Sequence, residues 1–369
     1  MPILFKPLSI RSATLANRAV VAPMCQYAAV NGLAQPWHLM HYGSLMAGGV
    51  GMLVVEATGV EPIGRISPAC LGLYDDACEA AFAQLVATLK TFGDGLICVQ
   101  LAHAGRKAST SLKTGTSYLP PAEGGWDLIA PSAIAFSDQW VAPQAASEED
   151  LSRVESAFAD AAKRALRAGF DAIEVHSAHG YLLNQFLSPL ANQRADHFGG
   201  TLENRMRFPL HVLQAVRAVW PQDKPLGFRI SATDWKDGGF TPDEAVVYVK
   251  KVRELGYDFV CVSSGGMVPD AKIPGGEPGY QVALAERIKK ETGILTRAVG
   301  MIANPAQAEE ILAKGQADMI ALGRGFLDDP HWVWHAAEAL GVDMPYPFRY
   351  ARAHPKLWPG ARLARGGNS

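Results

Sequence analysis

Short apolar runs recur along the chain, and each is followed by a longer segment whose apolar positions repeat at helical spacing. The runs are Arg18–Ala22, Met52–Ala57, Leu96–Leu101, Ala172–Val175, Leu226–Ile230, Phe259–Ser263, Leu295–Ala298 and Met319–Leu322. Their shortness and β-branched content mark them as strands. Between and after them, His38–Ala47, Ala77–Phe92, Glu148–Ala168, Leu202–Val219, Pro242–Leu255, Gln281–Glu291, Pro305–Lys314 and His331–Leu340 read as helices. Eight alternating units predict an α/β fold, a single (β/α)8 TIM barrel. Two stretches break the alternation. Leu8–Leu15 reads as a short N-terminal hairpin closing one end, and Ser109–Pro143 as a long loop after strand three, rich in Pro, Gly and Ser and carrying aromatic residues. A loop of that length inside a compact domain is expected to bind or cover something. Residues 1–345 are assigned to the barrel and 346–369 to a C-terminal tail.

The helix ends are written in the sequence. Ser147-Glu148-Glu149-Asp150 and Thr241-Pro242-Asp243-Glu244 have the form of capping boxes, and Asn304-Pro305 follows the same logic. Gly169, Gly256, Gly315 and Gly341 stand where a left-handed cap is wanted. Gly169, Gly256 and Gly315 are each followed within three residues by an aspartate and then a strand, a weak echo of one repeated unit.

Composition narrows the function only coarsely. Apolar residues at 49% and charged ones at 19% suit a globular chain, and a net charge of -2 gives no support for nucleic acid or a membrane surface as partner. The five cysteines (Cys25, Cys70, Cys78, Cys98, Cys261) are odd in number and form no C-x-x-C pair. That argues against disulfides, a zinc ribbon or an iron–sulfur cluster. With neither a leader-like start nor a run long enough to span a membrane, a cytoplasmic location is expected.

In a barrel of this kind chemistry gathers at the carboxyl ends of the strands. Those positions hold Pro23-Met24-Cys25, Ala57, Gln100, His176, Arg229, Ser263-Ser264-Gly265-Gly266, Gly300 and Gly323-Arg324. There is no strand-end lysine for a Schiff base and no run of carboxylates for magnesium. Gly300 and Gly323-Arg324, after strands seven and eight, suit a phosphate. Alternation along strand four turns Glu174 and His176 inward, and the same count turns Arg229 inward. A buried guanidinium needs a partner, and Glu174 on the neighbouring strand is the expected one. His176-Ser177-Ala178-His179-Gly180-Tyr181 precedes a helix-like segment, Tyr181–Phe186, and clusters two imidazoles with a phenol. The pair could hold a metal or grip a carbonyl oxygen; no third protein ligand follows it, which favours the oxygen clamp. His38 and His41 on the first helix read as packing and capping. Cys25 stands at the barrel mouth with Tyr27 two residues on, a placement that favours a functional thiol.

Together these residues resemble the Old Yellow Enzyme family of FMN-dependent ene-reductases, and within it the bacterial xenobiotic-reductase, or thermophilic-like NADPH dehydrogenase, subclass. The likeness runs through Ala22-Pro23-Met24-Cys25-Gln26-Tyr27, Val55-Glu56-Ala57-Thr58, Gln100-Leu101-Ala102-His103-Ala104-Gly105-Arg106-Lys107, His176 to Gln185 and Leu322-Gly323-Arg324. The resemblance implies FMN, with Ala22, Pro23, Met24, Cys25 and Ala57 along the ring, and Gln100 and Arg229 at its pyrimidine side. It implies Gly300, Met301, Gly323 and Arg324 at the phosphate, and His176 beside the ring. NAD(P)H, with NADPH favoured, would serve as reductant in the substrate's own pocket, consistent with the missing G-x-G-x-x-G fingerprint. His176 and His179 would bind the oxygen of a small enone or nitro compound, Tyr27 would touch it, and Tyr181 would donate the proton. Cys25 would tune the flavin. Val299 stands where some relatives have tryptophan, so a roomier pocket floor is expected. Pro345–Arg352 resembles a segment that enters a neighbouring subunit's site, so a homodimer or homotetramer is expected, with Arg352 as an arginine finger. The competing readings are a metal-dependent barrel hydrolase or lyase using His176 and His179, and a flavin-binding sensor without turnover.

Overall fold

Each of the eight apolar runs forms a strand: β1 (Ala19–Val21), β2 (Met52–Gly59), β3 (Leu96–Ala102), β4 (Ala172–Ser177), β5 (Leu226–Ser231), β6 (Phe259–Ser263), β7 (Leu295–Val299) and β8 (Met319–Leu322). They lie in chain order around one closed parallel barrel, β8 pairing with β1. This computed structural model describes residues 1–364; the last five residues of the expected tail, 365–369, lie outside them. The α-helices are α1 (Pro36–Ala47), α2 (Asp76–Leu89), α3 (Glu148–Arg167), α4 (Leu182–Leu187), α5 (Leu202–Val219), α6 (Pro242–Glu254), α7 (Val282–Thr292), α8 (Pro305–Ala313), α9 (Arg324–Asp328), α10 (Trp332–Ala339) and, in the tail, α11 (Ala361–Ala364). The short α9 is the one barrel helix that the apolar periodicity did not announce. The expected hairpin is present as Leu8–Ile10 paired antiparallel with Ala13–Leu15.

Capping follows the sequence. Asp150 N–H donates to Ser147 Oγ (3.1 Å) and Glu244 N–H to Thr241 Oγ1 (3.3 Å), each the forward half of a capping box. Gly169, Gly256, Gly315 and Gly341 all have φ between +70° and +90°, the conformation that ends a helix at least cost to glycine. The aspartates of the weak repeat have one shared task. Asp171 accepts from Ile97 N, Asp258 from Leu226 N and Asp318 from Thr296 N, each at 2.9 Å. Each carboxylate thereby satisfies an amide at the start of the preceding strand, where the ladder offers no carbonyl.

Alternation divides the strands between two cores. Val55, Val99, Ile173, Val175, Phe228 and Ile230 face the helices, whereas Val20, Met52, Val54, Cys98, Cys261 and Met319 fill the barrel, plugged from below by Ile10 and Leu15 of the hairpin. Fully burying such a side chain contributes roughly 1.5–3 kcal/mol. Cys98 and Cys261 are thus space-filling residues.

Above this apolar plug lies a buried polar layer, and here the expected Glu174–Arg229 pair is corrected. Glu174 instead binds Arg297 of β7, both side chains fully buried, and accepts from Gln100 Nε2 at 2.7 Å. The reason is register. Glu174 stands level with Gly227, while Arg229 stands level with His176, one inward position higher. Arg229 is therefore lifted out of the carboxylate's layer toward the mouth.

Candidate active site

At the mouth, β4 ends in His176-Ser177 and the chain turns sharply before α4. His179 (φ +58°) and Gly180 (φ +71°) are both left-handed. A Cβ at Gly180 would lie 2.2 Å from the Gly266 carbonyl oxygen, so only glycine lets the loop after β4 press against the loop after β6. The turn sets three rings together: His176 meets His179 edge-on at 5.2 Å and 87°, and Tyr181 at 4.9 Å and 88°.

Hydrogen bonds orient the imidazoles. His176 Nδ1 accepts from Ala178 N (3.2 Å), which leaves the proton of the neutral ring on Nε2. His179 N donates to Ser231 Oγ (2.9 Å), and its Nε2 lies 2.7 Å from Ser263 Oγ. Ser263 Oγ donates to Gln281 Oε1 (3.3 Å), so it accepts from His179 Nε2–H, and His179 Nδ1 accepts from His176 Nε2–H at 3.4 Å. The two ring nitrogens stand side by side, and a turn of the Ser263 hydroxyl toward Nε2 would make both of them donors to one oxygen. Burial first, and the Arg229 charge second, hold both imidazoles well below their usual range. Burial pushes the Tyr181 phenol well above its usual value, so it keeps its proton.

Beside this cluster a cavity of about 510 Å³ runs under the ends of β1, β5, β7 and β8. Ala22, Pro23, Met24, Arg229, Gly300, Met301, Gly323 and Arg324, all expected at a cofactor, line it. Arg229 is 8% exposed and its Nε has no hydrogen-bond partner, so a buried cation faces the cavity unanswered. Gly300 (φ +106°) leaves backbone exposed there; a Cβ would meet Gln281 Nε2 at 2.3 Å. Val299 lines the same wall, in keeping with a floor lacking tryptophan. Ala57 and Gln100 stand level with each other on β2 and β3, and Gln100 commits an amide hydrogen to Glu174.

A second cavity, about 690 Å³, opens over Tyr181 and Tyr27. Its outer wall is the long loop after β3, through residues including Leu112, Phe136 and Trp140. The loop therefore covers the phenol, as its length and aromatic content suggested.

Residues 3–342 match the family described as NADH:flavin oxidoreductase / NADH oxidase. The NADPH dehydrogenase of Geobacillus thermodenitrificans is 46% identical over 352 residues, covering 95% of this chain and 98% of that protein. That of Bacillus subtilis is 43% identical over 352 residues, with the same coverage of both. The chain belongs to the Old Yellow Enzyme family. Among solved structures, morphinone reductase superimposes with a TM-score of 0.77 at 26% identity, over 94% of this chain and 92% of that one. The chain is a flavin-dependent oxidoreductase of this family, and its residues suit FMN. The Arg229 guanidinium, with no hydrogen-bond partner at Nε, has the chemistry to answer an electron-rich ring edge, and glycine backbone with Arg324 has the donors to answer a phosphate.

Some residues of this Old Yellow Enzyme site were not foreseen. Glu56 sits at a bulge in β2 and reaches back toward α1, taking hydrogen bonds from Gln26 N (3.0 Å) and Tyr42 Oη (3.1 Å), with His38 Nε2 3.3 Å away. It anchors the loop that presents Cys25 and Tyr27. The signal available was the charge at the end of an otherwise apolar strand. His38 Nδ1 accepts from Gln35 N at 2.9 Å, the capping role expected of it. Cys70, read as structural, touches the Cys25 thiol, and that contact with burial raises Cys25 well above its usual value. Cys25 is therefore held as a neutral thiol, which does not suit it to nucleophilic attack. Arg352 is exposed in the short 3₁₀ turn Phe348–Ala353 and does not line the cavity over Tyr181 of its own chain. Among the described residues no group of three or more His, Cys, Asp or Glu converges as metal ligands would.

Proposed function

We propose that this enzyme reduces the activated C=C bond of small α,β-unsaturated carbonyl compounds, and of nitro-activated analogues, with NADPH as the favoured reductant. Bound FMN would supply a hydride from N5 to the β-carbon. The protein does the rest. His176 Nε2–H and, once the Ser263 hydroxyl turns to donate to His179 Nε2, His179 Nδ1–H would hold the substrate oxygen where charge develops, a donor pair worth roughly 3 kcal/mol per donor when water is excluded. Tyr181 delivers its proton to the α-carbon, a contribution of about 10²–10⁴ in rate. Arg229 offers its guanidinium to the electron-rich edge of the ring, and Tyr27 touches the substrate from the opposite wall. A reductant using the same cavity needs no second nucleotide fold.

The observation that carries this reading is the adjacency of two features: a cavity with an unanswered buried arginine, and beside it two neutral imidazoles with a protonated phenol. A metal site fits less well, since among the described residues the histidines gain no third ligand. Anaerobic mixing tests the reading. NADPH should bleach the flavin absorbance of the holoenzyme, and 2-cyclohexenone should restore it with formation of cyclohexanone. Bleaching without restoration would leave a flavin-binding protein that does not turn over enones.

A further inference from the structure

Lys107 stands in the turn Gly105–Lys107 after β3; it lines the cavity over Tyr181 but neither the cavity beneath the strand ends nor the imidazole pair. Its ammonium donates to the His179 carbonyl oxygen at 2.8 Å and to the Gly266 carbonyl oxygen at 3.0 Å. The same nitrogen lies 5.0 Å from the centre of the Tyr181 ring and 4.6 Å from that of Phe136. Both carbonyls belong to left-handed backbone, His179 and Gly180 on one loop and Gly265 and Gly266 on the other. The loops are pressed close: a Cβ on Gly266 would lie 2.7 Å from the His179 oxygen. Two carbonyl oxygens brought together repel, and strained turns persist only where the surroundings over-determine them. Lys107 supplies the donor both oxygens need.

We infer that Lys107 is a positioning residue: it clasps the loop after β4 to the loop after β6 and so fixes His179 and Tyr181 in their working orientation. The inference rests on the proposed role of those two residues. The clasp reaches the His179 backbone directly, and its ammonium sits over the ring of the proton donor. Burial first, and the Arg106 charge second, lower the ammonium to about 7. Even as an amine it keeps two hydrogens for two carbonyls, so the clasp survives the titration.

Holoenzyme carrying Lys107→Met keeps the stem and loses the donors. It should bind 2-cyclohexenone and 4-hydroxybenzaldehyde, a phenol probe for the imidazole pair, roughly 10–100-fold more weakly by calorimetry and steady-state KM. Amide exchange across 176–182 should quicken, with flavin content unchanged. Lys107→Arg, which still offers several donors, should recover most of the lost affinity; a merely space-filling lysine would not show that rescue. Should Lys107→Met fail to fold, Lys107→Gln serves, with a neutral donor and an intermediate effect. Wild-type affinity and wild-type exchange in Lys107→Met overturn the inference. If wild-type holoenzyme itself binds neither probe, it is the reading of the imidazole pair that has failed.

Discussion

His176 and His179 carry no charge at neutral pH, because burial and then the Arg229 guanidinium hold both well below the usual histidine range. His41 behaves alike: burial, then His38, lowers it to about 4. Each of these groups takes up a proton in the unfolded chain below pH 6.5 and resists doing so in the fold. The unfolded state then binds more protons, so stability falls as pH falls, by up to about 1.4 kcal/mol per pH unit for each group. The denaturant midpoint should therefore drop between pH 7 and pH 5. A midpoint that stays constant across that window contradicts the neutral assignment. Arg229 and Glu174 show how far alternation reaches at this scale. Both were correctly turned inward, yet the register that separates their layers is a property of the closed barrel and is invisible along one strand.

At the scale of elements, the sequence carried strands, helices and caps because each is a local rule: apolar period, a Ser or Thr three residues before an acidic one, a glycine at the stop. Strand limits shifted by at most two residues, and Glu174, His176 and Arg229 kept the inward side that alternation gave them. The weak Gly–Asp echo proved to be a capping device. Asp258 holds the Leu226 amide at 2.9 Å and pairs with Arg11 of the hairpin at 2.6 Å. Asp258→Ala leaves a buried amide without an acceptor, and denaturant unfolding should show a loss of about 1–3 kcal/mol. An unchanged unfolding free energy would contradict that assignment. What the elements concealed were the supports of the site. Glu56 is redirected by a bulge, and Lys107 acts through two carbonyls of distant loops, neither of which leaves a mark in spacing. The short α9, five residues long, lacks the turns needed to show a period.

For the whole molecule, the family resemblance extended what local rules could say, since the cavity under four strand ends exists only once the barrel closes. For the tail, we propose a role in a contact with a second copy of the chain. Phe348 is 95% exposed and Arg352 is exposed beside it, an arrangement suited to a surface covered by a second copy. Arg352→Ala should raise KM for enones severalfold in a protein whose gel-filtration mass is a multiple of the chain; a monomer with unaltered KM would remove the arginine finger. The central claim, that an imidazole pair and Tyr181 complete an enone reduction, is tested most directly by stopped-flow reoxidation of NADPH-reduced enzyme with 2-cyclohexenone. The account predicts that Tyr181→Phe slows reoxidation by about 10²–10⁴ and that His176→Ala weakens enone saturation by about 10²–10³. Reoxidation of both variants at the wild-type rate and affinity would contradict it.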